Sequence, residues 1–162
     1  MRKCRECGGA EMRSEKREHR YIESGLENVW IEGLTFHVCP AGHELMSIPA
    51  LAKLHRAIAL ALVSADRRFS GDEVRYMRKY LGLSNQDFAR IMGVSEGQAS
   101  RWATGAVDIG GSAENLLRVL VRRGVKPDGY PVDDVEYLKG LAPVADPAIR
   151  LRRSSTDWRP AA

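Results

Sequence analysis

The stretch that most restricts what this chain can become runs from Ser84 to Gly105: Ser-Asn-Gln-Asp-Phe-Ala-Arg-Ile-Met-Gly-Val-Ser-Glu-Gly-Gln-Ala-Ser-Arg-Trp-Ala-Thr-Gly. Ser84 with Asp87 opens one helix, which carries Phe88, Ala89 and Met92 inward and stops at Gly93. Ser95 caps a second, in which Ala99 and Trp102 point to a core and the remaining residues do not. Two short helices joined by a tight turn make a helix-turn-helix, whose second helix is sized for the DNA major groove.

The flanking sequence supplies the rest of a helical domain over residues 67–123. Ser70 with Glu73 fits a capping box, and Val74, Met77 and Leu81 form an apolar stripe that Gly82 ends. Ser112 is expected to cap a last helix bearing Leu116, Leu117, Val119 and Leu120. In such a unit the start of the first motif helix, Asn85 and Gln86, lies at the sugar-phosphate backbone. The exposed face of the next helix offers Ser95, Glu96, Gly97, Gln98, Ser100 and Arg101. Gln98 suits adenine and Arg101 suits guanine or a phosphate, while the Ser95 hydroxyl is claimed by the cap. Gly97 lowers helix propensity, as close approach of backbone to DNA would permit.

Charge placement agrees. Residues 67–123 carry ten Lys and Arg against six Asp and Glu, whereas residues 1–66 balance at nine of each and residues 124–162 at six of each. The whole net charge of +4 therefore falls on the helical segment, where it suits phosphate contacts. Arg75, Arg78, Lys79, Arg90, Arg122 and Arg123 are the candidates.

Residues 1–46 read as a separate small unit held by metal. Cys4 and Cys7 form a Cys-x-x-Cys pair, and Cys39-Pro40-Ala41-Gly42-His43 follows some thirty residues later. Three thiols and one imidazole in two pairs are an accepted set for structural, four-coordinate zinc. Gly8, Gly9 and Gly42 permit the tight turns that bring such pairs to one point. His37 or water is the alternative to His43 as fourth ligand. Between the pairs, Val29 to Val38 is rich in β-branched and aromatic residues, with Gly33 as a bend or bulge. With Arg20-Tyr21-Ile22 before it, this predicts a small antiparallel hairpin or meander, too small to be held by apolar burial alone.

Residues 47–66 read as a connecting helix, with Pro49 at its first position, Ser47 as cap, and Leu51, Leu54, Ile58 and Leu62 on one face. Residues 124–162 form an extension in which Pro131 to Leu141 is one short helix and the part from Pro143 is partly disordered or docked on another surface. The fold class expected is α+β: a zinc-ribbon-like β unit joined to an all-α helix-turn-helix domain.

Other classes are disfavoured. There is no apolar run near the ~20 residues that span a bilayer and no secretory signal, so a cytoplasmic location is expected, associated with the nucleoid when bound to DNA. Three cysteines, two of them in one pair, favour a metal over a disulfide framework. The four histidines, His19, His37, His43 and His55, stand in no catalytic motif, and no Gly-rich phosphate loop follows a strand, so an enzyme is not expected.

Residues 70–123 resemble the Xre/Cro-type helix-turn-helix through Leu83-Ser84-Asn85-Gln86-Asp87-Phe88-Ala89, Gly93-Val94-Ser95, Ser100-Arg101-Trp102 and Gly105. Joined to the amino-terminal Cys-x-x-Cys and Cys-Pro, the layout resembles the MqsA family of antitoxins, which couple a YgiT-type zinc finger to such a domain. The resemblance implies a homodimer held mainly by its carboxy-terminal domains, bound to a palindromic operator on double-stranded DNA and repressing its own operon. It also implies that the zinc domain binds and neutralises a partner toxin, an RNA-cleaving enzyme. Arg101 matches the family's DNA-reading arginine, and Gly97 stands where the family can have a base-reading asparagine, which shifts weight to Gln98. The alternatives are a stand-alone helix-turn-helix regulator without a toxin and a module that binds a protein instead of DNA.

Overall fold

The computed structural model describes residues 2–124, 148–155 and 157–161. The expected helix over Pro131 to Leu141 lies outside them. The elements run β1 (Arg13–Arg20), a 3₁₀ turn (Ile22–Ser24), β2 (Val29–Val38), β3 (Glu44–Met46), α1 (Leu51–Ser64), α2 (Gly71–Tyr80), α3 (Asn85–Met92), α4 (Glu96–Thr104), α5 (Gly111–Arg123), β4 (Ile149–Arg153) and β5 (Trp158–Pro160). The class is α+β, with strands gathered around a Cys/His cluster and five helices beyond.

The five strands among the described residues belong to one sheet centred on β2. On one side β2 pairs antiparallel with β1. Its other edge is shared: β3 covers residues 36–38 and β4 runs parallel to residues 29–32. Gly33, at φ 71°, sits at the bulge between the Arg17 and His19 pairings, as expected. The bulge resets the side-chain alternation, so that Val29 and Ile31 before it and Leu34 and Phe36 after it are all buried. β1 is the segment that reads as merely charged. It survives as a strand because it is an edge, where charged side chains stay solvated and discourage pairing with other chains.

The tail from residue 148 is no appendage. Leu151 is fully buried and Trp158 nearly so, and most of the backbone contact between the sheet and α1 is made by β4 and β5. One continuous apolar core thus runs from Tyr21, Val29 and Ile31 through Leu54, Ile58 and Leu62 to Phe88, Trp102 and Leu117. The amino-terminal strands, expected to be too small a unit to hold themselves together by apolar burial, have their apolar face covered by a helix and a distant strand pair.

Two helix starts also differ from expectation. α1 begins at Leu51, preceded by Ala50 at φ 52° with no side-chain cap, so neither Ser47 nor Pro49 opens it. α5 begins at Gly111 with Gly110 in the cap position, and Ser112 lies inside the first turn. The Ser70, Ser84 and Ser95 caps are all made, Ser70 within a full capping box with Glu73.

A candidate metal centre and a candidate nucleic-acid interface

Each half of the metal cluster is a tight backbone turn. In the first, the Gly9 amide donates to the Cys4 carbonyl at 3.0 Å and the Cys4 amide to the Ala10 carbonyl at 2.9 Å, with Gly8 and Gly9 at positive φ. In the second, the Gly42 amide donates to the Cys39 carbonyl at 2.9 Å and the Cys39 amide to the His43 carbonyl at 3.0 Å. Gly42, at φ 85°, occupies a conformation that a residue with a Cβ adopts only with strain.

These turns bring Cys4, Cys7, Cys39 and His43 together, their ligand atoms all within 4.8 Å of one another. Cys7 Sγ lies 3.7 Å from Cys39 Sγ, and His43 Nδ1 lies 3.7 Å from Cys4 Sγ and 3.5 Å from Cys39 Sγ. Tetrahedral zinc requires edges of about 3.8 Å between two sulfurs and about 3.6 Å between sulfur and nitrogen, given its usual bond lengths. The donor set and its spacing therefore fit a four-coordinate divalent ion. Cys4 and Cys39 are buried with Met12 in a small cluster of their own, while Cys7 and His43 face solvent. His37 is directed elsewhere, its Nδ1 2.8 Å from the Ser14 hydroxyl.

The thiols perturb one another. Burial pushes Cys4 up, but hydrogen bonds from the Cys7 backbone and thiol outweigh it and bring Cys4 down to about 7. The hydrogen bond to Cys4, followed by burial and the neighbouring Cys39, raises Cys7 to about 11. Cys4 and Cys7 do not both ionise readily unaided. A bound cation removes that conflict by neutralising the thiolates directly.

The helix-turn-helix face is built with equal economy. Gly93 and Gly105 close α3 and α4 in the left-handed conformation, and Phe88 meets Trp102 edge-on at 6.4 Å between ring centres. α4 is unbroken across Gly97, where an added Cβ would meet nothing nearer than the Ser95 hydroxyl at 4.0 Å. Gln86, Ser95, Glu96, Gly97, Ser100 and Arg101 are exposed, and Asn85 and Gln98 are half-buried.

Four of these side chains already have work within the fold. The Ser95 hydroxyl accepts from the Gln98 amide at 3.2 Å, which is the cap. Asn85 Nδ2 donates to the Glu96 carbonyl at 3.1 Å and so ties the start of α3 to the start of α4. Arg101 donates to Gln98 Oε1 at 2.5 Å, so the two form one polar unit. Of the phosphate candidates, Arg75 and Arg90 pair with Asp72 and Asp87 one turn away, and Arg78 donates to the Leu83 carbonyl.

Several residues that organise this face carry no motif. Gly71, at the start of α2, lies against the end of α4: a Cβ there would fall 2.3 Å from the Gly105 nitrogen and 2.7 Å from its Cα. Arg118 is fully buried, donating to Glu114 at 2.9 Å and to the Val63 carbonyl at 2.9 Å, with its guanidinium 4.0 Å from the Phe69 ring centre. Arg67 and Glu73 form a second buried pair, and Glu73 also completes the α2 capping box. These basic residues count in the local charge excess yet are spent inside the protein. His55 on α1 bridges Tyr21 at 3.2 Å and Tyr76 at 2.8 Å, joining the sheet to α2.

Comparison with known families gives one match, over residues 1–127, to the family described as the antitoxin component of bacterial toxin–antitoxin system, MqsA. Neither curated proteins nor solved structures give a match.

Proposed function

The chain belongs to the MqsA family of antitoxins, and from that premise we propose that it is a homodimeric DNA-binding repressor that controls its own operon. The observation that supports this most strongly is the outward face of α4, a continuous helix held by a cap at each end with Gln98 and Arg101 joined on its surface. Arg101 would read guanine or grip a phosphate, and Gln98, whose carbonyl oxygen already orients the guanidinium, would present its amide to the groove. Asn85 and Gln86 at the start of α3, with Ser95, Glu96, Gly97 and Ser100, would line the duplex, the first two at a phosphate. A two-fold dimer would place its two probes about 34 Å apart, one turn of the duplex, on a palindrome.

The Cys4, Cys7, Cys39 and His43 cluster would hold structural zinc, since four protein ligands leave no position for a substrate. Bound zinc would supply cross-linking here, and the chain's own glycine turns do the orienting. The amino-terminal unit would be the surface that meets a toxin, as its family membership suggests. Membership of an antitoxin family also favours a regulatory role over catalysis.

The test is protection of a palindrome upstream of the protein's own gene. Arg101→Ala should weaken operator binding by about 1–3 kcal/mol and relax specificity at one base position. Equal binding of Arg101→Ala and the parent chain across a salt titration would falsify the assignment.

A further inference from the structure

The family match ends at residue 127, yet the residues that finish the amino-terminal sheet lie beyond it, at 149–160. β4 pairs with residues 29–32 of β2, on the edge that β3 covers only at residues 36–38. The seat has a definite chemistry. On the inner side it takes one apolar side chain, Leu151, which is fully buried. On the outer side Arg150 pairs with Glu18 and lies 5.6 Å from the Trp30 ring centre, and Arg152 donates to Glu32 at 2.8 Å. β5 then folds back on β4 and buries Trp158 to 5% exposure.

Among the described residues the Trp158 indole nitrogen is buried with no hydrogen-bond partner, a cost carried by the seated strap. The segment thus combines a specific seat with a built-in penalty, which is what a displaceable strand needs.

We propose that residues 149–160 are a tethered strap occupying a strand-acceptor edge of β2, and that this edge accepts an extended basic–apolar–basic segment of a partner protein once the strap is displaced. Strand addition supplies backbone hydrogen bonds, the Leu151 slot selects an apolar residue, and Glu18 and Glu32 select the flanking cations. Because most backbone contact between the sheet and α1 runs through β4 and β5, displacement also loosens the sheet from the helix that leads to α2. The proposal is independent of operator binding by α4.

Hydrogen exchange of the full chain tests it, read at the Val29 to Glu32 amides. Leu151→Asp should speed exchange there by about tenfold or more while leaving α3 and α4 protected. A synthetic peptide of residues 147–161 should restore protection to the Leu151→Asp chain and leave the parent chain unchanged at the same concentration. Should Leu151→Asp fail to fold, Arg150→Glu combined with Arg152→Glu removes the outer contacts without touching the core and should give the same exposure. Equal exchange in the parent and strap variants, or equal peptide binding to both, overturns the proposal. A parent dimer that Leu151→Asp dissociates also overturns it, because the strap would then be exchanged between two copies.

Discussion

Two glycines set opposite demands on this protein. Gly71 exists because α2 begins where α4 ends, and a methyl group would force two backbones apart. Gly71→Ala should therefore destabilise the chain by about 1–3 kcal/mol, the usual cost of overpacking, read as a lower urea midpoint. Gly97 has open space around it and ordinary helical conformation. Gly97→Ala should raise stability by about 0.5–1 kcal/mol through helix propensity. If α4 enters a groove, the same substitution should weaken operator binding several-fold, because the missing side chain is the space the duplex would fill. A gain in both properties would place Gly97 away from DNA. The role of Gly71 is not visible in sequence alone, because a glycine at a helix start looks like a weak helix former until the neighbouring chain is placed against it; Gly97 is already readable there as room for a close approach.

At the level of elements, legibility followed locality. The caps at Ser70, Ser84 and Ser95 are interactions across three residues, and the sequence pattern predicts all of them. The glycine turns that carry the two Cys-bearing pairs are also short-range events, and the joining of the pairs across some thirty residues is legible because their side chains make up one ligand set. β1 and β4 escape the same reasoning because each owes its conformation to β2. β1 alternates charge with charge, and β4 offers only Ile149 and Leu151 among arginines. The buried Arg118 and Glu114 look like surface helix residues until the segment before α2 is folded over them.

This distribution alters what metal removal should do. The knuckle cluster of Cys4, Met12 and Cys39 is separate from the main core, whereas β2 is buried under α1 and the strap. Chelation should release residues 2–12 and 39–43 to rapid exchange while β2 and α4 stay protected, and operator binding should persist. His43→Ala should lower the metal content of the purified protein and reproduce that exchange pattern. Collapse of β2 protection on chelation would mean that the metal, and not the apolar core, supports the sheet.

Across the whole molecule, His55 is the point where sheet, connecting helix and α2 meet. Burial pulls its imidazole below the ordinary value of 6.5, so in acid the unfolded chain takes up a proton before the folded one does. Stability from this residue is complete above about pH 6.5 and is lost as the pH falls from there through the lower folded value. The melting temperature should drop over that interval, and His55→Gln should flatten the drop. An unchanged slope in His55→Gln would assign the pH dependence to other groups.

The parallel pairing of β2 with β4 has a consequence for biosynthesis. A ribosome delivers β2 more than a hundred residues ahead of its partner strand, with α1 to α5 in between. The helical half can close on contacts already at hand, but the first-made sheet must wait, one edge bare, until residues 149–153 are made. For that interval the newborn polypeptide presents its acceptor edge to whatever the cell holds nearby, before any competition from β4 begins.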